Sequence, residues 1–391
     1  MTFPSPRSPR TCHSVEDLRL AAQGRLPRLL FDYVDGGAHS ETTMRANAGD
    51  FAQWRLMPRI LRNVQHIDLS TRFMGARHRL PFWFAPVGYL GLLSPRGDIA
   101  AGRVACEAGT VMGISTFSIA PLEEIAGAAG QSACQLYMVR DRAITRDILD
   151  RAKSAGISDL ILTVDTPVTP LRPRDARNGF RAVTRFGARH VLDMVRHPRW
   201  LADMARNGPV EAGNIARYDL GKGILEQSAR LGREIDPRLV WDDLDWLRGV
   251  WSGRIYVKGV LHPGDARACR DHGADGVIVS NHGGRQLDFA PSAISCLPVV
   301  REAVGPDCEV LFDSGVRRGT DVVMALALGA DAVALGRACA YGLGAFGEAG
   351  VARAVDLLRE DIASTLALMG LASIDELKAQ PRDEIIARIT P

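Results

Sequence analysis

A TIM (β/α)8 barrel with an N-terminal helical extension and a long loop after strand 4 is the fold class this sequence predicts. Three observations carry the expectation: eight short apolar runs, helix-like segments of Ala, Leu, Glu and Arg between most of them, and polar or glycine residues at the run ends. Short, fully apolar, β-branched runs alternating with helices mark a parallel sheet, and eight units is the number at which such a sheet closes. A doubly wound open sheet would need a break in the series, and none is evident.

The extension runs to about residue 75. Its start, SVEDLRLAAQGRLP, reads as helix, and FDYVDGGA comes next with Tyr33 placed at a turn. The apolar runs are PFWFAP from Pro81, TVMGIS from Thr110, SACQLY from Ser132, DLILTVD from Asp159, RIYVKG from Arg254, GVIVSN from Gly276, EVLFDSG from Glu309 and DAVALGR from Asp331. Between them, GDIAAGRVACEAG and GTDVVMALALGA finish at glycines suited to helix C-caps. The expectation is a single domain over residues 1–391, with the barrel at about 80–350. One excursion, about 172–247, far exceeds the roughly two to six residues usual between a strand and its helix, and loops that long are usually functional.

Composition narrows the function classes. A net charge of +3 over 391 residues gives no reason to expect a nucleic-acid partner. Seven cysteines, an odd number without a C-x-x-C pair, argue against a disulfide framework or a zinc site and fit a reducing compartment. The N-terminus lacks the apolar core of a signal peptide, and no apolar run reaches the roughly 18 residues needed to span a bilayer. The expected location is cytoplasmic, with attachment to the inner face of the cell membrane open. That option rests on residues about 183–210 of the excursion, where apolar and arginine residues alternate around Pro198. A basic helix with an apolar face suits an anionic membrane surface, and equally the covering of a barrel or a neighbouring subunit.

In a barrel of this kind chemistry collects at the C-terminal ends of the strands. Those ends carry Gly88, Ser115, Gln135 with Tyr137, Thr163 with Asp165, Lys258, His282 with Arg285, Asp313, and Gly336 with Arg337. In SNHGGRQLD a histidine able to move protons near neutrality stands three residues from an arginine whose flat fork matches a carboxylate. Together they suggest acid/base work on a carboxylate-bearing substrate. Asp165 would raise the His282 pKa and orient its ring, or simply cap a helix. Lys258 ends an apolar strand and needs an anionic partner, either a reduced cofactor ring or a carboxylate such as Asp313. After strands 7 and 8, DSGVRRGTD and LGRA combine Gly315 and Gly336 with Arg317 and Arg337, a phosphate-binding composition, although surface ion pairs would also explain the arginines.

GLGAFG at Gly342 matches a dinucleotide fingerprint, but the adjoining VARAVDLLREDIASTLALMG reads as helix where that fold needs a strand. The nine histidines are scattered without metal-ligand spacing, so no metal is expected.

The motifs DYVDGGA, QLY, VDTP, VKG, SNHGGRQLD, DSGVRRGTD and LGRA, in this order, resemble those of the FMN-dependent L-2-hydroxy acid oxidases and dehydrogenases, over about residues 15–374. The resemblance implies FMN on the barrel rim and oxidation of a 2-hydroxy acid. It makes His282 the base, Asp165 its partner, Arg285 and Arg172 the clamp for the substrate carboxylate, and Tyr33 and Tyr137 substrate hydrogen-bonders. It places Lys258 beside flavin N1, Pro86, Val87, Gly88, Ser115, Gln135, Thr163 and Ser280 around the flavin, Asp313 and Gly315 near the ribityl chain, and Arg317, Gly336 and Arg337 at the phosphate. Phe117 falls where the family lines the substrate pocket. Within the family the sequence is most similar to bacterial membrane-associated dehydrogenases for L-lactate and mandelate. That similarity implies a quinone or another membrane electron acceptor, with an oxygen-using oxidase as an alternative, and a homo-tetramer. A flavin- or phosphate-binding regulator without turnover, or an FMN-dependent isomerase, would share the barrel but not need the whole His282, Arg285 and Arg172 set.

Overall fold

The computed structural model describes residues 6–178, 187–206, 213, 214, 216–218 and 223–389. All eight apolar runs become parallel strands of one closed barrel: β1 (Phe82–Phe84), β2 (Met112–Ile114), β3 (Ser132–Leu136), β4 (Asp159–Thr163), β5 (Arg254–Val260), β6 (Gly276–Val279), β7 (Glu309–Phe312) and β8 (Ala332–Leu335). Closure comes from β8 pairing with β1, Leu335 opposite Phe84.

The run pattern is explained by where each side chain points. Alternate residues face opposite sides of a strand. Inside the barrel Trp83, Ala133, Ile161, Tyr256, Ile278, Leu311 and Ala334 pack into a core of their own. Their neighbours, such as Leu160, Leu162, Val277 and Val279, pack outward against the helix layer. Both faces are therefore dry, and the strands read as unbroken apolar runs. A ribbon of Thr71–Phe73 and Ala76–His78 adds Phe73 and Met74 to the inner core.

The helices obey the expected stop signals. Gly97–Ala108 ends at Gly109, whose φ of +66° is a left-handed C-cap. The GLGAFG stretch lies within helix Arg337–Phe346, which leads into helix Glu348–Leu368, so it forms no strand-to-helix phosphate loop. One expectation is corrected: Tyr33 is not at a turn but within helix Arg28–Asp35, and it is buried. That helix is anchored by Asp35, which accepts from Arg19, Arg174 and Tyr341, a demand on tertiary structure that a local reading does not reveal.

The excursion leaves β4 and returns through helix Trp241–Val250 to β5. Its basic stretch breaks at Pro198 into helices Ala188–Val195 and Pro198–Ala205; residues 183–186 and 207–210 of the expected membrane segment lie outside the described residues. Trp200 is buried and donates to the Leu92 carbonyl, and Asp203 pairs with Arg25 at 2.6 Å. The opposite side presents Val191, Leu192, Val195 and Leu201 to solvent beside Arg189, Arg196 and Arg199. One face of this stretch thus covers the barrel, and the other is open to solvent. Among the described residues no helix is long and apolar enough to cross a membrane.

Candidate active site

At the C-terminal rim, β4, β5 and β6 bring Asp165, Lys258 and His282 together. The peptide after β6 turns sharply: His282, Gly283 and Gly284 all have positive φ, +58°, +66° and +75°. Glycine takes this conformation freely, whereas for histidine it costs on the order of 1–3 kcal/mol, a strain met mainly at functional sites. The turn sets His282 Nδ1 2.9 Å from Asp165 Oδ1. Asp165 fits because β5 is irregular at Lys258–Val260 and residue 259 is glycine; a Cβ there would lie 2.6 Å from the Asp165 Cβ. Asp165 does push the histidine pKa up, as expected, but burial outweighs it. Burial depresses His282 below its ordinary value, Asp165 opposes that, and Lys258 and Arg172 add to it, so the ring is held as a neutral base.

Lys258 is fully enclosed, with Nζ 2.9 Å from Asp313 Oδ2 and 2.8 Å from Ser280 Oγ. Burial disfavours its charge, but Asp313 and Asp165 more than compensate, and the lysine pKa rises. Asp313, pushed upward by burial, is pulled below the usual carboxylate range by Lys258. The carboxylate partner weighed for Lys258 is therefore present, and the amine also lines the cavity.

Arg172 and Arg285 reach the same cavity from the excursion and from the loop after β6. Arg172 donates to the Arg285 carbonyl at 3.0 Å and to Gln286 Oε1 at 3.0 Å. Arg285 lies over the Tyr33 ring at 4.9 Å and spends Nη1 on the carbonyls of Tyr33 and Gly36. Tyr33 and Tyr137 line the cavity near Phe117, whose ring is 5.5 Å from that of Tyr137. Each arginine is thus held on one edge by backbone or amide oxygen, a preorganisation that reduces the cost of binding an anion.

At the far end, Arg317, Gly315, Gly336 and Arg337 line the cavity, with Gly336 capping the N-terminus of helix Arg337–Phe346. Instead of surface ion pairs, these arginines make inward contacts. Arg317 lies over the Tyr341 ring, and Arg337 donates to the carbonyls of Val34, Gly283 and Gly36. Arg337 therefore also ties helix Arg28–Asp35 to the His282 turn. Gln135 links Thr116 N–H at 3.1 Å to the Thr163 hydroxyl at 3.2 Å, fixing polar groups along the cavity wall.

Of the residues singled out from sequence, Tyr33, Pro86, Val87, Gly88, Ser115, Gln135, Tyr137, Thr163, Arg172 and Lys258 line this one cavity. His282, Arg285, Asp313, Gly315, Arg317, Gly336 and Arg337 complete it. Two do not reach it. Ser280 is buried behind the wall, where its hydroxyl accepts from Lys258 Nζ and from the His282 N–H. Asp165 stands behind His282, its Oδ2 buried without a partner among the described residues. Gln286, Thr166, Thr169 and Ile235 also line the cavity and were not singled out. Gln286 stands inside the SNHGGRQLD motif; Ile235 comes from the end of the excursion, where only the bridge to Val139 brings it in. A second, largely apolar cavity of about 450 Å³ shares Thr163, Thr166 and Ile235 with the first.

A basic phosphate end, a wall of neutral donors and a buried Lys–Asp pair beside a neutral histidine held by Asp165 define a flavin-mononucleotide enzyme of the barrel class. The comparisons agree: the profile of the FMN-dependent dehydrogenase family matches residues 22–383. The chain belongs to that family, uses FMN, and is an oxidoreductase acting on 2-hydroxy acids. It is 44% identical over 383 residues to an L-lactate dehydrogenase of Azorhizobium caulinodans, covering 95% of this chain and 98% of that one. It is 42% identical over 380 residues to an L-lactate dehydrogenase of Xanthomonas euvesicatoria, covering 96% and 97%. The solved structure of the monotopic membrane protein (S)-mandelate dehydrogenase superposes with a TM-score of 0.91 at 39% identity, covering 96% and 99%.

Proposed function

We propose that the protein oxidises L-lactate to pyruvate and passes the electrons to a quinone or another membrane acceptor. The observation that carries this reading is His282, held by Asp165 at 2.9 Å and opening on the same cavity as Arg172, Arg285, Tyr33 and Tyr137. The substrate carboxylate docks on Arg285 and Arg172. Its hydroxyl faces Tyr33, Tyr137 and His282, and His282 takes the hydroxyl proton on the ring nitrogen not bonded to Asp165. Asp165 holds the ring and favours the imidazolium that forms. FMN, when bound there, would supply the acceptor for the two electrons and the α-hydrogen. Lys258, with Ser115, Gln135 and Thr163, holds the ring and offsets the charge it gains; Asp313 and Gly315 suit the ribityl chain, and Arg317, Gly336 and Arg337 the phosphate.

The aromatic rings of Phe117 and Tyr137 on the cavity wall, with Tyr89 packed behind Phe117, suit a methyl-sized side chain, in keeping with the lactate relatives. The mandelate reading is favoured by the second cavity, separated from the first by Ile235 and Thr166. The exposed apolar and basic face of the excursion supports peripheral membrane attachment, while the homo-tetramer rests on the family resemblance alone. Anaerobic addition of L-lactate, then of (S)-mandelate, tests the reading through the flavin absorbance. Bleaching by L-lactate that persists on admitting air is the expected result. Rapid recovery in air makes the enzyme an oxidase, and no bleaching with any 2-hydroxy acid overturns the proposal.

A further inference from the structure

Asp98 is an ionisable group that the chemistry above does not use. It stands at the second position of helix Gly97–Ala108, is 1% exposed, and no cation figures among the main influences on it. A buried carboxylate without a cation is costly unless hydrogen bonds satisfy it. Its Oδ2 accepts two: from the Gly91 N–H at 3.1 Å and the Ile119 N–H at 3.3 Å.

Those two amides belong to different loops. Gly91 lies after β1 and Ile119 after β2, and they touch, since a Cβ on Gly91 would lie 2.6 Å from that of Ile119. The same loops carry Gly88 and Phe117 into the active-site cavity. There they are equally close: a Cβ on Gly88 would sit 2.8 Å from the Phe117 Cβ, and Tyr89 N–H donates to the Phe117 carbonyl at 3.0 Å. One carboxylate thus joins, from behind, the two loops that face each other across the cavity wall.

We propose that Asp98 is a positioning residue for side-chain recognition, its carboxylate holding the loops after β1 and β2 together and thereby setting the space between Gly88 and Phe117. The inference rests on the reading of this cavity as the 2-hydroxy acid site. Burial pushes the Asp98 carboxyl up to about 6, offset in part by the donors around it. The charged residues on neighbouring elements pair with one another, Arg96 with Glu124 and Arg103 with Glu348 at the surface and buried Arg151 with Glu123. Acidification through about pH 6 therefore protonates Asp98 on Oδ1, which has no hydrogen-bond partner among the described residues, leaves Oδ2 a weaker neutral acceptor for the two amides and loosens the junction.

The test is the ratio of kcat/KM for (S)-mandelate to that for L-lactate, measured on the FMN-loaded protein from about pH 5 to about pH 8. Titration of His282 affects both substrates alike and cancels in the ratio. A ratio steady at neutral pH that changes by roughly threefold or more near pH 6 is expected, as is a ratio displaced at every pH and without that inflection in Asp98→Asn. A flat wild-type profile, with an unaltered ratio in Asp98→Asn or with no folded variant, overturns the proposal. Absence of flavin reduction by either acid in the wild-type protein instead overturns the substrate reading and this inference with it.

Discussion

His282 Nδ1 lies 2.9 Å from Asp165 Oδ1, although 117 residues separate them in the chain. The contact fixes which ring nitrogen remains for the substrate, while burial, which outweighs the pull of Asp165, keeps the ring neutral. His282→Gln is expected to keep FMN and to slow anaerobic flavin reduction by about 10²–10⁴-fold, with a smaller loss in Asp165→Asn. Stopped-flow reduction checks both; near-normal rates in His282→Gln would remove it from the proton transfer.

The depressed His282 pKa gives the sign of the pH dependence. The neutral ring is the working base, so kcat/KM for L-lactate is flat at neutral and mildly alkaline pH and falls on acidification, with its inflection below the ordinary histidine value of about 6.5. In Asp165→Asn the carboxylate no longer opposes burial, and the inflection moves lower still. A pH titration of residual activity reads both positions.

Lys258 and Asp313 form an enclosed pair at 2.9 Å. Lys258→Met leaves the Asp313 carboxylate without its cation, which costs about 3–5 kcal/mol and weakens FMN retention. Thermal unfolding of the apo and FMN-loaded forms, with the bound-flavin content, measures this. Lys258→Arg is not expected to restore either property, because a planar fork cannot replace a point charge between Asp313 and Ser280.

Gly88→Ala places a methyl 2.8 Å from the Phe117 Cβ. Relief requires Phe117 to move, at about 1–3 kcal/mol. Substrates with large side chains are expected to lose more kcat/KM than L-lactate, and steady-state kinetics with the two acids decides it.

Replacing Val191, Leu192, Val195 and Leu201 with serine removes the exposed apolar face while sparing buried Trp200. Each side chain fully buried in a lipid surface would contribute on the order of 1.5–3 kcal/mol. The expected outcome is loss of co-sedimentation with anionic vesicles and unchanged anaerobic FMN reduction. Wild-type protein that never co-sediments would end the membrane reading.

Much of this site is legible in the sequence because strand ends announce themselves: apolar residues stop where the barrel stops, and the polar residues just beyond form the rim of the cavity. Gln135, Thr163, Lys258 and His282 are visible for that reason. Ile235 and Thr169 are not, since each sits in a connecting stretch between regular elements, where no periodic signal marks it. Ser280 is misplaced by a sequence reading because a strand-end residue can point either into the cavity or behind its wall, and only packing chooses.

The sequence by itself determined the eight-unit alternation and the barrel, and pointed to the phosphate end, because apolar period and glycine placement are local properties of the chain; the roles of His282 as base and of Arg285 with Arg172 as clamp are what the resemblance of their motifs implies. The tertiary structure alone decided that Tyr33 sits on a buried helix, that burial outweighs Asp165 in setting the charge of His282, and that Asp98 joins two loops. Each of these is a balance between desolvation and contacts from distant segments, and such a balance exists only once the chain has closed on itself.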